Sequence, residues 1–353
     1  MLSFGKIKRF SALTLLSVSA LPMVAAVSAA SANAAEEVNI YSARQAFLIK
    51  PMLKAFTDET GIKVNVIFAK KGLIERIENE GQNTNADLFL TPDIGPIYDI
   101  VNKGLTQAVD SPVLEKNIPS QYRDPDDQWF GLTTRSRIIY TSKERVKEGE
   151  IKTYEDLADP KWKGKVCTRS GKHTYNLSLV GSMIATHGEA EAEKWLEGVK
   201  ANLARKPQGN DRAQVKAVKE GVCDVALGNS YYFGKMITNA KKPEQIGWAQ
   251  SVNLLFPNQA DRGAHMGISG VVLTKHSKNK DNAIKLMEFL SGPMAQYMYA
   301  QENFEFPVRP GTPKSSLLDQ YMGDFKADDM SLATIAANRS KASKLVDKVG
   351  FDN

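Results

Sequence analysis

The chain has 353 residues, of which 42% are hydrophobic and 24% charged. That is the balance of a soluble globular protein long enough for two domains. Its formal net charge is +6, and Lys6, Lys8 and Arg9 at the extreme N-terminus contribute three of those charges; no basic run interleaved with aromatics follows, which argues against a nucleic-acid partner.

MLSFGKIKRF is a basic head without an acid, SALTLLSVSALPMVAAV is an apolar middle broken by Pro22, and Ala32-Asn33-Ala34 is an A-x-A cleavage pattern. Residues 1–34 therefore read as a signal peptide that exports the mature chain. The apolar stretch is too short and interrupted for a membrane span. It ends in Ala rather than in a lipid-bearing Cys.

VNIYS predicts a strand, and Phe47 to Thr60 a helix with Phe47, Met52, Leu53 and Phe56 as its apolar stripe, stopped at Gly61. KVNVIFA, GLIERIENEG, ADLFLTPD and IGPIYDIVNKG continue as strand, helix, strand, helix. This β-α-β-α-β order predicts an α/β lobe with a largely parallel sheet. Ligands of such sheets bind at the carboxyl ends of strands, where Tyr41-Ser42-Ala43-Arg44-Gln45 and Thr91-Pro92-Asp93 lie. WFGLTTRSRIIYTS reads as a long extended crossing into a second lobe. There GKVCTRS and CDVALGNS are strands, with helices over Tyr175–His187, Glu189–Ala204 and Asp211–Glu220 between them. GAHMGISGVVLTKHS is strand-like, and AIKLMEFLSGPMAQYMYA is helical with a break at Gly292-Pro293.

Catalytic signatures are missing: there is no G-x-S-x-G, H-E-x-x-H or C-x-x-C. RSGKHT fails the phosphate-loop spacing because Gly164 stands seven residues before Gly171. The four histidines are scattered, and a lone histidine is more often surface or core than ligand. The two cysteines, Cys167 and Cys223, each open an expected strand. Export would put them where disulfides persist. They are a candidate disulfide or two buried thiols, depending on a Cα separation that sequence does not contain.

GNSYYFGKM sets Tyr231 and Tyr232 side by side after a strand. Neighbouring strand side chains point to opposite faces, so two phenols serve one site only where the strand gives way to a turn or a helix start. Taken alone, such a pair is more often packing.

With VNIYSARQ, ADLFLTPD, GLTTRSRIIY, CTRSGKHTYN and ALGNSYYFGKM in this order, the mature chain resembles the ferric-ion-binding proteins. These are the periplasmic substrate-binding components of bacterial iron ABC transporters. The resemblance implies the two-lobed α/β periplasmic binding protein fold of the two-crossover type, with an interlobe cleft. It implies a first lobe over 35–134 plus about 260–305, and a second over 135–259 plus about 306–353. It further implies a periplasmic monomer without catalytic activity that carries Fe(III) to an inner-membrane ABC permease.

By the same resemblance Tyr231 and Tyr232 are iron ligands, and Tyr175, from the CTRSxxxxYN pattern, is a third. The chemistry agrees: a small, highly charged Fe(III) prefers hard anionic oxygen donors, and a bound cation favours the phenolate. Several family members carry histidine, or histidine followed by tyrosine, where this chain has Gln45-Ala46. Three phenolates then have no fourth anionic protein ligand. Relatives of that kind complete the coordination with carbonate or bicarbonate, for which Arg135, Arg44 and Gln45 are the candidate holders. A guanidinium fork suits a planar oxyanion. Tyr41 is expected to be packing. The alternative reading is a binding protein of the same fold for an organic or oxyanionic solute.

Overall fold

The computed structural model describes residues 36–353, and the expected signal peptide over 1–34 lies outside the described residues. The first lobe is built from β1 (Glu37–Ser42), α1 (Ala46–Thr60), β2 (Lys63–Phe68), α2 (Leu73–Glu80), β3 (Leu88–Thr91), α3 (Ile94–Asn102) and α4 (Pro112–Asn117). The long β4 (Phe130–Ser142) leads to β5 (Val166–Cys167), α5 (Thr174–His187), α6 (Glu189–Ala201), α7 (Asp211–Lys219), β6 (Val225–Asn229) and α8 (Tyr231–Ile237). Next come α9 (Glu244–Gln250), β7 (Val252–Leu255), β8 (Met266–Leu273), α10 (Lys280–Ser291), α11 (Pro293–Gln301) and β9 (Phe306–Pro307). The chain closes with α12 (Ser316–Met322), α13 (Leu332–Ala337) and α14 (Arg339–Val349).

α1 buries Leu48, Ile49, Met52, Leu53 and Phe56, and Gly61 ends it at φ 73°. Only the left-handed region allows that stop, and glycine enters it without a Cβ clash. Phe47, expected in the buried stripe, is instead 44% exposed. It sits in the first turn, beyond the edge of the core that α1 covers.

The strands run β2-β1-β3-β8-β4-β6-β5, with β7 and β9 also paired to β4. β1 is parallel to β2 and to β3, as the β-α-β pattern requires. The first-lobe strands β2, β1 and β3 are thus parallel, as expected, and the sheet as a whole is mixed. β8 pairs antiparallel with both β3 and β4. β4 leaves the first lobe and β8 returns to it alongside, so the two crossings must oppose each other.

β4 is buried along its whole length. Its first half, through Ser136, pairs with β8, and from Arg137 onward it pairs with β6 and β7. One continuous strand thereby belongs to both lobes. Val38, Ile40, Phe56, Leu88 and Met287 pack in the first lobe, whereas Ile139, Val180, Met183, Leu196 and Val225 pack in the second.

Cys167 ends β5 and Cys223 lies just before β6, outside the strand that sequence reading gave it. A disulfide joins them with a Cα–Cα distance of 5.9 Å. Parallel pairing of β5 with β6 brings them that close. Among the described residues no helix is long and apolar enough to cross a membrane.

Candidate metal centre

β6 ends at Asn229, and α8 begins with Tyr231 and Tyr232. The helix start removes the strand's alternation: adjacent residues are now about 100° apart, and both phenols project from one helix end. Gly228 makes room underneath, since a Cβ there would stand 2.5 Å from the Tyr140 ring. Tyr140 in turn donates its hydroxyl to the Asn229 carbonyl at 2.8 Å, which ties down the strand end.

Tyr175 comes from the first turn of α5, whose cap is His173. The His173 Nδ1 accepts the Tyr175 backbone N–H at 3.3 Å, and the two rings meet edge to face with centroids 4.6 Å apart. Burial, reinforced by Arg169, pushes the His173 imidazole down to about 3, so it stays a neutral acceptor. That cap holds Tyr175 over the pair: its hydroxyl lies 3.4 Å from the Tyr231 hydroxyl. The Tyr231 and Tyr232 rings are 4.2 Å apart at an interplanar angle of 31°. All three phenols are buried.

Burial pushes the Tyr231 and Tyr232 phenols well above their ordinary range, and the neighbouring Tyr175 adds to it. Both phenols are therefore neutral in the protein alone. The surroundings nevertheless suit phenolates. Arg135, Arg169 and Arg137 lie 5.3, 5.4 and 5.9 Å from the Tyr175 ring centre, and Arg212 lies 5.3 Å from that of Tyr232. Asp211 ties two of them in place, pairing with Arg137 at 2.9 Å and Arg169 at 3.1 Å. Burial would raise the Asp211 carboxyl, but the two guanidinium groups outweigh it and hold it below the usual carboxylate range.

Of the candidate anion holders, Gln45 reaches the phenols directly: its Nε2 donates to the Tyr232 hydroxyl at 3.1 Å. Arg135 stacks on Tyr175 while donating to Ser269 Oγ at 3.1 Å and to the Pro92 carbonyl, with Asp93 at 3.7 Å. Arg44 is turned to Glu305 at 2.6 Å and to Thr133 Oγ1 at 3.4 Å. A cavity of about 10 Å³, lined by Asp93, Arg135, Arg137, Tyr175, Asn229 and His265, sits behind Tyr175. Tyr41 lies elsewhere and donates to Glu80 at 2.8 Å.

Among the described residues no group of three His, Cys, Asp or Glu could hold a metal ion. The oxygen donors that converge are the phenols, and such hard donors fit a trivalent cation better than a soft one. Sequence reading did not find Arg137, Arg169, Arg212 or Asp211. Arg169 stands inside CTRS and Arg137 inside TTRSR, but residues in separate segments carry no signal that they share one carboxylate.

Residues 83–330 match the model of the bacterial extracellular solute-binding protein family. "Iron uptake protein A1" of Synechocystis sp. is 42% identical over 317 residues, covering 90% of this chain and 88% of that protein. The structure of apo ferric ion-binding protein A from Pasteurella haemolytica superposes with a TM-score of 0.87 at 55% identity, over 90% of this chain and 99% of that one. A Trichodesmium protein solved in complex with iron and citrate gives a TM-score of 0.83 at 42% identity, over 89% and 99%. The chain belongs to the bacterial extracellular solute-binding proteins, among their ferric-ion-binding members.

Proposed function

We propose that this protein binds Fe(III) in the periplasm and delivers it to an inner-membrane ABC permease, with Tyr175, Tyr231 and Tyr232 as its ligands. The observation that carries the reading is the convergence of three buried hydroxyls from two helix starts, with Tyr175 and Tyr231 oxygens 3.4 Å apart. Neutral phenols that close would serve packing equally well. What favours iron is the set of guanidinium groups around them, which lowers the cost of three negative oxygens. A 3+ ion supplies the rest of that stabilisation.

Export follows cleavage after Ala34, and the lobes span 35–134 plus about 260–305 and 135–259 plus about 306–353. Three phenolates leave about half of an octahedral sphere open. A small oxyanion such as carbonate fills it, held chiefly by Arg135, with Gln45 and Arg44 at its edge. The Trichodesmium relative, solved with iron and citrate, supports an exogenous oxygen ligand. Closure of the lobes over the ion is a hinge motion, which bound iron biases towards the closed state.

The test is a spectrum and a titration. Purified without chelators, the protein should carry iron and a visible phenolate-to-iron charge-transfer band. Tyr231→Phe and Tyr232→Phe keep the rings and remove one anionic oxygen each. Iron affinity should fall by orders of magnitude while the iron-free protein melts where the parent does. Parent-like binding by both variants would overturn the assignment.

A further inference from the structure

Phe47 is a large apolar side chain left 44% exposed in the first turn of α1. It is not idle. The Arg212 guanidinium lies 5.7 Å from its ring centre, and the Lys235 ammonium 5.6 Å. Both cations come from the other lobe, Arg212 from α7 and Lys235 from α8. Each is shared with a second ring. Arg212 also lies 5.3 Å from the centre of Tyr232, and Lys235 lies 5.9 Å from that of Phe304. The order is ring, cation, ring, cation, ring: Tyr232, Arg212, Phe47, Lys235, Phe304.

Neither cation forms an ion pair among the described residues. Lys235 donates to the Glu302 carbonyl, and burial lowers its pKa. Glu305 and Glu302 also act on the Lys235 charge, which faces the rings of Phe47 and Phe304. The far end of the chain is seated as well. Phe304 holds a positive φ of 60°, unusual for a bulky residue, and its ring packs where Gly234 of α8 has no Cβ.

We propose that Phe47 is the latch of the cleft, a positioning residue that sets how long the closed lobes hold their cargo. The inference rests on the ferric-ion reading above. The cation–ring contacts of Phe47 exist only while the lobes meet, and only contacts of that kind shift a hinge equilibrium.

Phe47→Leu keeps an apolar side chain and removes the ring; Phe47→Trp keeps and strengthens it. Iron release into excess chelator, followed by loss of the charge-transfer band, should be about five- to thirty-fold faster for Phe47→Leu. Phe47→Trp should release no faster than the parent. In parallel, nitroxides placed through Lys54→Cys and Lys194→Cys, both on exposed helix faces of opposite lobes, report the interlobe distance in the iron-free protein. Phe47→Leu should shift that distribution to longer distances. Parent-like release would overturn the latch, and so would faster release with an unchanged distance distribution. A parent that develops no iron band would sink the ferric reading instead, and the spin-label distances would still decide the latch.

Discussion

The Gln45 side-chain amide donates to the Tyr232 hydroxyl at 3.1 Å, joining the N-cap of one lobe's leading helix to a phenol of the other lobe. In the neutral protein this is an ordinary hydrogen bond. Once Tyr232 loses its proton the same contact becomes charge-assisted, which roughly doubles its strength. On the ferric-ion reading proposed above, Gln45 would favour the phenolate form of Tyr232. Gln45→Ala should weaken iron binding about tenfold or more, the range for a hydrogen bond to a charged group. A chelator-competition titration reads this out, and unchanged affinity would mean the contact does not persist in the loaded protein.

Arg135 should matter through its shape as well as its charge. Its guanidinium is buried and stacks on Tyr175 while bonding to Ser269 and the Pro92 carbonyl. Arg135→Lys keeps the charge and loses the planar fork. Iron binding should then weaken, and the parent's dependence on bicarbonate in depleted and restored buffer should diminish. Affinity indifferent to bicarbonate, citrate and phosphate in the parent would show that the chain completes the coordination itself.

The Cys167–Cys223 bridge closes a loop of 56 residues beneath Tyr175 and Tyr231. Its removal by Cys167→Ala with Cys223→Ala should cost roughly 2–5 kcal/mol of stability by denaturant unfolding. Iron affinity should fall as well, because β5 and β6 no longer hold the starts of α5 and α8 in register. Equal stability of the two proteins would refute the first half of this prediction.

Acid should destabilise the fold through His265. Burial, aided by Arg262, pushes its imidazole down to about 3. Its Nε2 meets Ser178 Oγ at 3.1 Å. The unfolded chain takes up that proton near pH 6.5, so below that pH the unfolded state binds more protons than the folded one. Stability from this residue is complete above about pH 6.5 and is lost progressively as the pH falls towards 3. The loss at pH 5 should be about 2 kcal/mol. His265→Gln should show a flatter dependence of melting temperature on pH between 7 and 5. A slope equal to the parent's would assign the acid sensitivity elsewhere.

Local patterns in the chain were enough to predict most elements and the paired phenols. The short strand VNIYS, the alternation in KVNVIF and the stripe of Phe47–Thr60 correspond to β1, β2 and α1, because a 2-residue or 3.6-residue period is a property of the segment itself. The tyrosine pair was readable at a strand-to-helix junction for the same reason: the junction is local, and α8 starts at Tyr231. Tertiary structure decided the rest. The sheet is mixed because β8 returns beside β4, a pairing between residues more than a hundred positions apart. The bond between Cys167 and Cys223 depends on β5 lying next to β6. Arg137 and Arg169, from two separate segments, meet one buried carboxylate, Asp211, from a third. Phe47, read as core from its spacing, is 44% exposed and meets Arg212 and Lys235 of the other lobe instead. Periodicity records which face of an element is apolar. It carries no record of which distant charge will be folded against that face.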